Sequence, residues 1–261
     1  MPQSSKRTIQ ADDLYRFELI SGTRLSPDGN TVIFALHRVD QKTEKKFSNL
    51  WVVPTRGGKP RRFTVGDQND SSPRWSPDGS QIAFLSNRGD KEKPPQIYLL
   101  PFNGGEAQPL TSIPGTIIAF AWSPDGKRLV CQVRKTDKDV LEREMDEQKK
   151  KLGVVSRHYD RLFYKLDGYG YLPHERSHIW VVDVLTGKAR QLTDHPIWDE
   201  AAPAWSPDGK SIAFVSNRST DPDSCPDRID LFVMPSIGGE PRLINTPVGS
   251  KNSPGFSPDG K

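Results

Sequence analysis

The tetrapeptide Ser-Pro-Asp-Gly occurs five times in this chain, starting at Ser26, Ser76, Ser123, Ser206 and Ser257. The intervals are 50, 47, 83 and 51 residues, so three of the four share one period. A repeat of this length constrains the fold strongly, because each copy must be one supersecondary unit that buries its faces against its neighbours. Other features travel with the turn. A large apolar residue precedes each copy: Leu25, Trp75, Trp122, Trp205 and Phe256. A short apolar run follows the first four, at 32–36, 82–86, 129–133 and 212–216. Next comes a run closing on glycine, at 49–58, 96–105, 178–187 and 230–239. A last short run, PRRFT, AQPLT, ARQLT or PRLIN, ends each unit.

Each unit reads as four antiparallel strands. Proline fixes φ at the first corner of the Ser-Pro-Asp-Gly turn, aspartate can bond its own backbone, and glycine takes a positive φ. That turn ties strand one to strand two, and the later glycine turn ties strand three to strand four. Four strands in about 50 residues make a β-propeller blade. The expected fold class is therefore all-β: four complete blades plus the start of a fifth, with a helical insertion in blade three. After a lead-in at 1–20, the blades span about 21–67, 68–115, 116–194 and 195–247, and the fifth begins at 248–261. The tryptophans before the turns read as packing between blades. A chain stopping inside a hairpin would expose unpaired edges. The natural protein is thus expected to continue past Lys261; self-association into a homo-oligomer is the other way to cover such edges.

Gly and Pro number 21 and 23, which suits many turns and rules out an all-helical fold. No apolar run approaches 18 residues, so no membrane span is expected. The opening lacks the apolar core of a secretory signal, which points to the cytoplasm. With 37 basic against 33 acidic residues the net charge is +4, too weak a field over 261 residues to suggest nucleic acid. Cys131 and Cys225 read as two free, buried thiols.

The chemistry-bearing motifs are mostly missing. No two glycines lie four apart, so Gly-x-Ser-x-Gly is absent, as are HExxH and phosphate-loop patterns. His174 and His178 are four apart, but they flank a loop entering a strand and do not suggest a metal. Asp221 and Asp223 lie in TDPDSCPDRID, which lacks the glycine and terminal glutamate of a calcium loop, so turn capping is expected there. No catalytic residue, cofactor or metal is assigned.

The 83-residue interval points to an insertion at 135–177 in blade three. Residues 137–152 are charged, free of Gly and Pro, and read as one surface helix with a thin stripe of Leu141, Met145 and Leu152. Residues 156–180 that follow are dense in Tyr, Arg, His and Asp, and long loops on a rigid scaffold often carry binding residues. Arg157, Arg161 and Arg176 could pair a carboxylate, and Tyr159, Tyr164, Tyr169 and Tyr171 could stack or hydrogen-bond. The substrate-binding candidates are Arg157, Tyr159, Arg161, Tyr164, Tyr169 and Tyr171; the alternative is that these side chains only staple the insertion to the blade. Truncating Trp122 or Trp205 to alanine should cost about 3–5 kcal/mol, whereas Arg161→Ala is expected to leave folding nearly intact.

The strings WSPDGSQIAFLSNR (75–88) and WSPDGKSIAFVSNR (205–218) resemble the blades shared by TolB-like propellers and the prolyl oligopeptidase family of serine peptidases. Two stretches, IQADDLYRFELISGTRLSPDGNTVIFAL (9–36) and RLFYKLDGYGYLPHERSHIWVVDVLTGKARQLTD (161–194), resemble the acylaminoacyl peptidase branch. That resemblance implies an N-terminal propeller capping a C-terminal α/β-hydrolase domain, which would hold a Ser-Asp-His triad and lies outside this sequence. The propeller would restrict access so that short or N-acylated peptides reach the serine. The partners so implied are a peptide substrate and the chain's own hydrolase domain. The alternative is a non-enzymatic TolB-like propeller that binds other proteins.

Overall fold

The Ser-Pro-Asp-Gly turns organise the structure, a computed structural model that describes residues 7–90, 93–153 and 158–260. In the second copy the Ser76 hydroxyl donates to Asp78 Oδ1 at 2.6 Å and accepts the Gln81 N–H at 3.1 Å. Gly79 closes the turn at φ 72, its N–H donating to the Ser76 carbonyl at 2.9 Å. The same serine–aspartate bond recurs at Ser26, Ser123, Ser206 and Ser257, at 2.5, 2.6, 2.6 and 2.7 Å. Hydrogen bonding, led by the serine hydroxyl, holds Asp28, Asp78, Asp125 and Asp208 below the usual carboxylate range, Asp28 at about 2.

The chain divides into two compact units, Met1–Pro109 and Leu110–Lys261. In the first, a 3-10 helix (Ala11–Arg16) precedes the strands β1 (Leu19–Leu25), β2 (Thr31–Val39), β3 (Lys46–Pro54) and β4 (Arg61–Arg62). Sheet two follows with β5 (Asp70–Trp75), β6 (Gln81–Ser86), β7 (Gln96–Pro101) and β8 (Gln108–Pro109). Both sheets are antiparallel with strands in chain order. Their facing side chains, Ile33, Ala35, Leu50 and Val52 from one and Ile82, Phe84 and Leu100 from the other, form one core cluster. Trp75 packs against that cluster edge-on to Phe102, 4.7 Å between centroids, and its indole donates to the Arg24 carbonyl at 3.3 Å.

The second unit repeats the plan with an excursion. Strands β9 (Gly115–Trp122) and β10 (Arg128–Lys135) are followed by α1 (Lys138–Met145), α2 (Glu147–Lys151) and the two-stranded hairpin β11 (Lys165–Leu166) and β12 (Gly170–Tyr171). The chain then returns as β13 (Ser177–Asp183) and β14 (Ala189–Gln191), completing a sheet ordered β14-β13-β10-β9. Sheet four comprises β15 (Glu200–Trp205), β16 (Ser211–Ser216), β17 (Asp230–Pro235) and β18 (Arg242–Ile244). Val130, Ile179 and Val181 from sheet three meet Trp205, Ile212, Phe214, Phe232 and Met234 from sheet four. Trp205 is buried and its indole donates to the Ala121 carbonyl at 3.1 Å, so it bridges the two sheets.

A bulge that periodicity does not announce recurs in the first strand of three sheets. Register shifts fall at Ser21/Arg24, Ser71/Arg74 and Ala201/Ala204, and the residues just inside them, Gly22, Ser72 and Ala202, have φ of 62, 52 and 52. Pro73 and Pro203 follow two of these; proline cannot donate into a ladder, and a bulge is where a strand tolerates it.

Several expectations need correction. The charged stretch 137–152 is not one helix: the Asp146 carboxylate accepts the N–H groups of Gln148 and Lys149 at 2.9 and 3.1 Å, which starts a second helix and ends the first. Neither helix buries a residue; of the apolar stripe Met145 and Leu152 are exposed and Leu141 is half-buried. Cys131 is a free buried thiol, its pKa pushed up by burial, but Cys225 is exposed on the loop between β16 and β17. Leu25, unlike the tryptophans at its repeat position, is exposed. Past β18 the fifth Ser-Pro-Asp-Gly turn, Ser257–Gly260, forms as the repeat predicts. Among those residues no helix is long and apolar enough to cross a membrane.

Candidate functional site

In every sheet the loop between the second and third strands lies at the end opposite the Ser-Pro-Asp-Gly turn. In sheet three this loop is the excursion 136–176, and polar contacts pin it at both ends. Asp137 precedes α1, yet its carboxylate does not cap that helix; it accepts the N–H groups of His174 and Glu175 at 3.0 and 2.9 Å. Farther along, Arg161 grips Asp223 of sheet four's long loop with two bonds, Nε to Oδ2 at 3.2 Å and Nη2 to Oδ1 at 3.0 Å. The Phe163 N–H adds a third at 3.0 Å. Burial pushes the Asp223 carboxyl up, but these bonds and the nearby Arg161 and Arg176 charges outweigh it and hold the carboxyl below its ordinary range. At the return, Asp199 accepts the Ser177 N–H at 2.7 Å and Arg176 Nη1 at 3.1 Å.

Between these anchors the β11–β12 hairpin turns through Asp167-Gly168-Tyr169-Gly170, with Gly168 and Gly170 at φ 80 and 75. Glycine is required at both, because a side chain there would be strained. The hairpin brings three tyrosines together. Tyr159 stacks on Tyr171 at 5.6 Å and on His174 at 6.1 Å, and its ring lies 5.2 Å from that of Tyr164. The Lys165 ammonium sits 5.6 Å from the Tyr171 ring centre. Tyr159, Tyr171 and His174 then wall one side of a cavity of about 610 Å³, with Asp139, Glu142 and Arg143 of α1 also lining it. Such a cavity offers ring edges, phenol and imidazole groups and charges of both signs, a setting for a small polar ligand with apolar parts.

The sequence-derived candidates therefore separate. Tyr159, Tyr164 and Tyr171 converge. Tyr169 stands at the hairpin tip, 83% exposed, away from the cluster. Arg161 faces a different cavity, committed to Asp223. Arg157 lies outside the described residues. Two expectations change with this geometry. Asp223 is not a turn cap but the partner of Arg161, whereas Asp221 does cap, accepting the Ser224 N–H at 3.3 Å. Arg161→Ala would not be nearly neutral, because it leaves a buried carboxylate without its counter-ion. His174, Asp137 and Asp199 were not singled out as site residues by sequence; only the density of polar residues around His174 hinted at them.

The TolB beta propeller domain family matches residues 9–160. This chain belongs to that family. Among its relatives, the TolB-type chain is 33% identical over 231 residues to an uncharacterized peptidase, YuxL, of Bacillus subtilis, covering 88% of this chain and 34% of that protein. It is 29% identical over 274 residues to dipeptidyl-peptidase 5 of Porphyromonas endodontalis, covering 99% of this chain and 38% of that protein. Of solved structures, an acylaminoacyl peptidase of Pyrococcus horikoshii superposes with a TM-score of 0.68 at 21% identity, over 89% of this chain and 33% of that one. The chain thus spans about a third of the length of the curated relatives it matches. At 21% identity the likeness to the solved peptidase shows a shared fold.

Proposed function

We propose that this chain is the propeller portion of a serine peptidase acting on short or N-acylated peptides, with its catalytic domain outside these residues. The observation that carries the reading is the 33% identity to a peptidase over 88% of this chain but only 34% of the relative. The lack of any Gly-x-Ser-x-Gly here agrees with it. In this reading the four sheets are blades, the excursion 135–177 is an insertion in the third, and the blades cap the hydrolase and filter its substrates by size. Tyr159, Tyr164 and Tyr171 contact substrate, and Arg161 positions the segment. Attack by an activated serine would follow the usual acyl-enzyme course in the other domain.

Reading the gene past codon 261 tests this. The frame is expected to run through further Ser-Pro-Asp-Gly units into Gly-x-Ser-x-Gly, with Asp and His beyond. A stop codon directly after Lys261 would contradict the peptidase reading and favour a protein-binding scaffold instead.

A further inference from the structure

A second cavity, of about 230 Å³, lies beside the Arg161–Asp223 pair, apart from the tyrosines. Phe163, Ala201, Val215 and Ile229 give it apolar walls, and Arg161, Arg176, Asp199 and Asp223 give it charge. The lining charges balance, two guanidinium groups against two carboxylates, but their hydrogen-bonding capacity does not. Asp223 is matched by Arg161 through two bonds. Asp199 is shared between Arg176 Nη1 at 3.1 Å and Arg134 Nη2 at 3.4 Å, and it also holds the Ser177 N–H. Every oxygen of these two carboxylates thus already accepts a donor.

The unused capacity lies with the donors. The Arg176 side chain is 10% exposed and makes a single hydrogen bond among the described residues, leaving the rest of its five donors for the cavity it lines. A largely buried guanidinium with donors to spare can take a further acceptor, and a charged acceptor gives the stronger bond. The planar fork of a guanidinium matches the two oxygens of a carboxylate.

We infer that this cavity binds a carboxylate group through Arg176, carried by a peptide as either its free C-terminus or an acidic side chain. The choice of a peptide as carrier rests on the proposed function; the carboxylate chemistry does not. The apolar walls and the small volume suit the end or the side chain of one residue.

Isothermal titration calorimetry of the 261-residue chain tests this with defined probes. Acetate should bind, and acetamide should not. If the C-terminus is the source, Ala-Ala-Ala should bind at least tenfold more tightly than its C-terminal amide. If an acidic side chain is the source, N-acetyl-Ala-Glu-Ala amide should exceed the Gln analogue by the same factor. Arg176→Gln should weaken the preferred probe at least tenfold, and Arg176→Lys, which keeps the charge without the fork, should fall between. Equal binding of acids and amides, or no effect of Arg176→Gln in a folded variant, would overturn the inference. Should Arg176→Gln fail to fold, the acid-against-amide comparison on the unaltered chain decides. Acetate binding without peptide binding would keep the carboxylate site and overturn its peptide occupant.

Discussion

Sheet four and the excursion 136–176 belong to the same unit but are held by different forces. The sheet rests on buried apolar side chains: Ile212 and Phe214 are fully buried and Met234 nearly so. Its loop-end carboxylate, Glu200, is fully buried too, and bonded by His178 at 2.8 Å, Thr193 at 2.8 Å and Arg218 at 3.4 Å. Sheet two carries the parallel arrangement, in which buried Asp70 accepts from Ser86 at 2.6 Å and Arg88 at 2.7 Å. The excursion has no buried residue in either helix and depends on a few carboxylates that clasp backbone N–H groups and arginines. Apolar burial thus makes a rigid frame, while point contacts position a segment that exposes Leu162, Tyr164, Tyr169 and Tyr171. Local stability should differ accordingly.

The largest effect is expected in the frame. Trp205→Ala removes a buried ring that bridges two sheets and should cost about 3–5 kcal/mol in urea unfolding. A loss below about 1 kcal/mol would contradict the core assignment. Asp223→Ala should come next, at about 3 kcal/mol, because it strands a largely buried guanidinium. Its effect should be local: limited proteolysis should cleave within 158–173 in the variant while the sheets stay intact. Uniform cleavage across the chain would erase the distinction between frame and excursion. Ser206→Ala should cost about 1 kcal/mol, since the hydroxyl donates to Asp208 and accepts from the Ser211 N–H.

Acid should weaken the frame's turns in a defined direction. The folded pKa values of Asp28, Asp78, Asp125 and Asp208 lie below the unfolded value. Their contribution is complete above the unfolded value near 4 and is lost as pH falls through the lowered ones. Thermal melts from about pH 5 toward about pH 2 should show a steady fall, shallower when the turn serines are replaced by alanine. A profile unchanged by those replacements would refute this origin. Tyr169→Ala should matter least, within about 0.5 kcal/mol, because the ring is exposed.

The frame was legible because its signals are periodic and local. Ser, Pro, Asp and Gly at fixed offsets dictate the turn, and the apolar runs at 32–36, 82–86, 129–133 and 212–216 fall within β2, β6, β10 and β16. The excursion was legible only as a dense polar segment. Its anchors pair residues far apart in sequence, Asp137 with His174 and Arg161 with Asp223, and nothing in the spacing links them. The helix break at Asp146 was hidden in a run of good helix formers, where an aspartate can either continue a helix or cap a new one. The bulges at Ser72 and Ala202 left a trace in the prolines that follow, but that trace reads equally as an edge strand.

In the function proposed above, the sheets support and the tyrosine cluster contacts substrate. The most direct measurement is kcat/KM of the complete gene product on short peptidyl nitroanilides, comparing the unaltered protein with the Tyr159→Ala/Tyr171→Ala double variant. The expected result is a loss of at least tenfold in kcat/KM with a melting temperature nearly unchanged. An unaltered kcat/KM with a lowered melting temperature would contradict it, and would leave the tyrosines as staples that fix the excursion to its sheet.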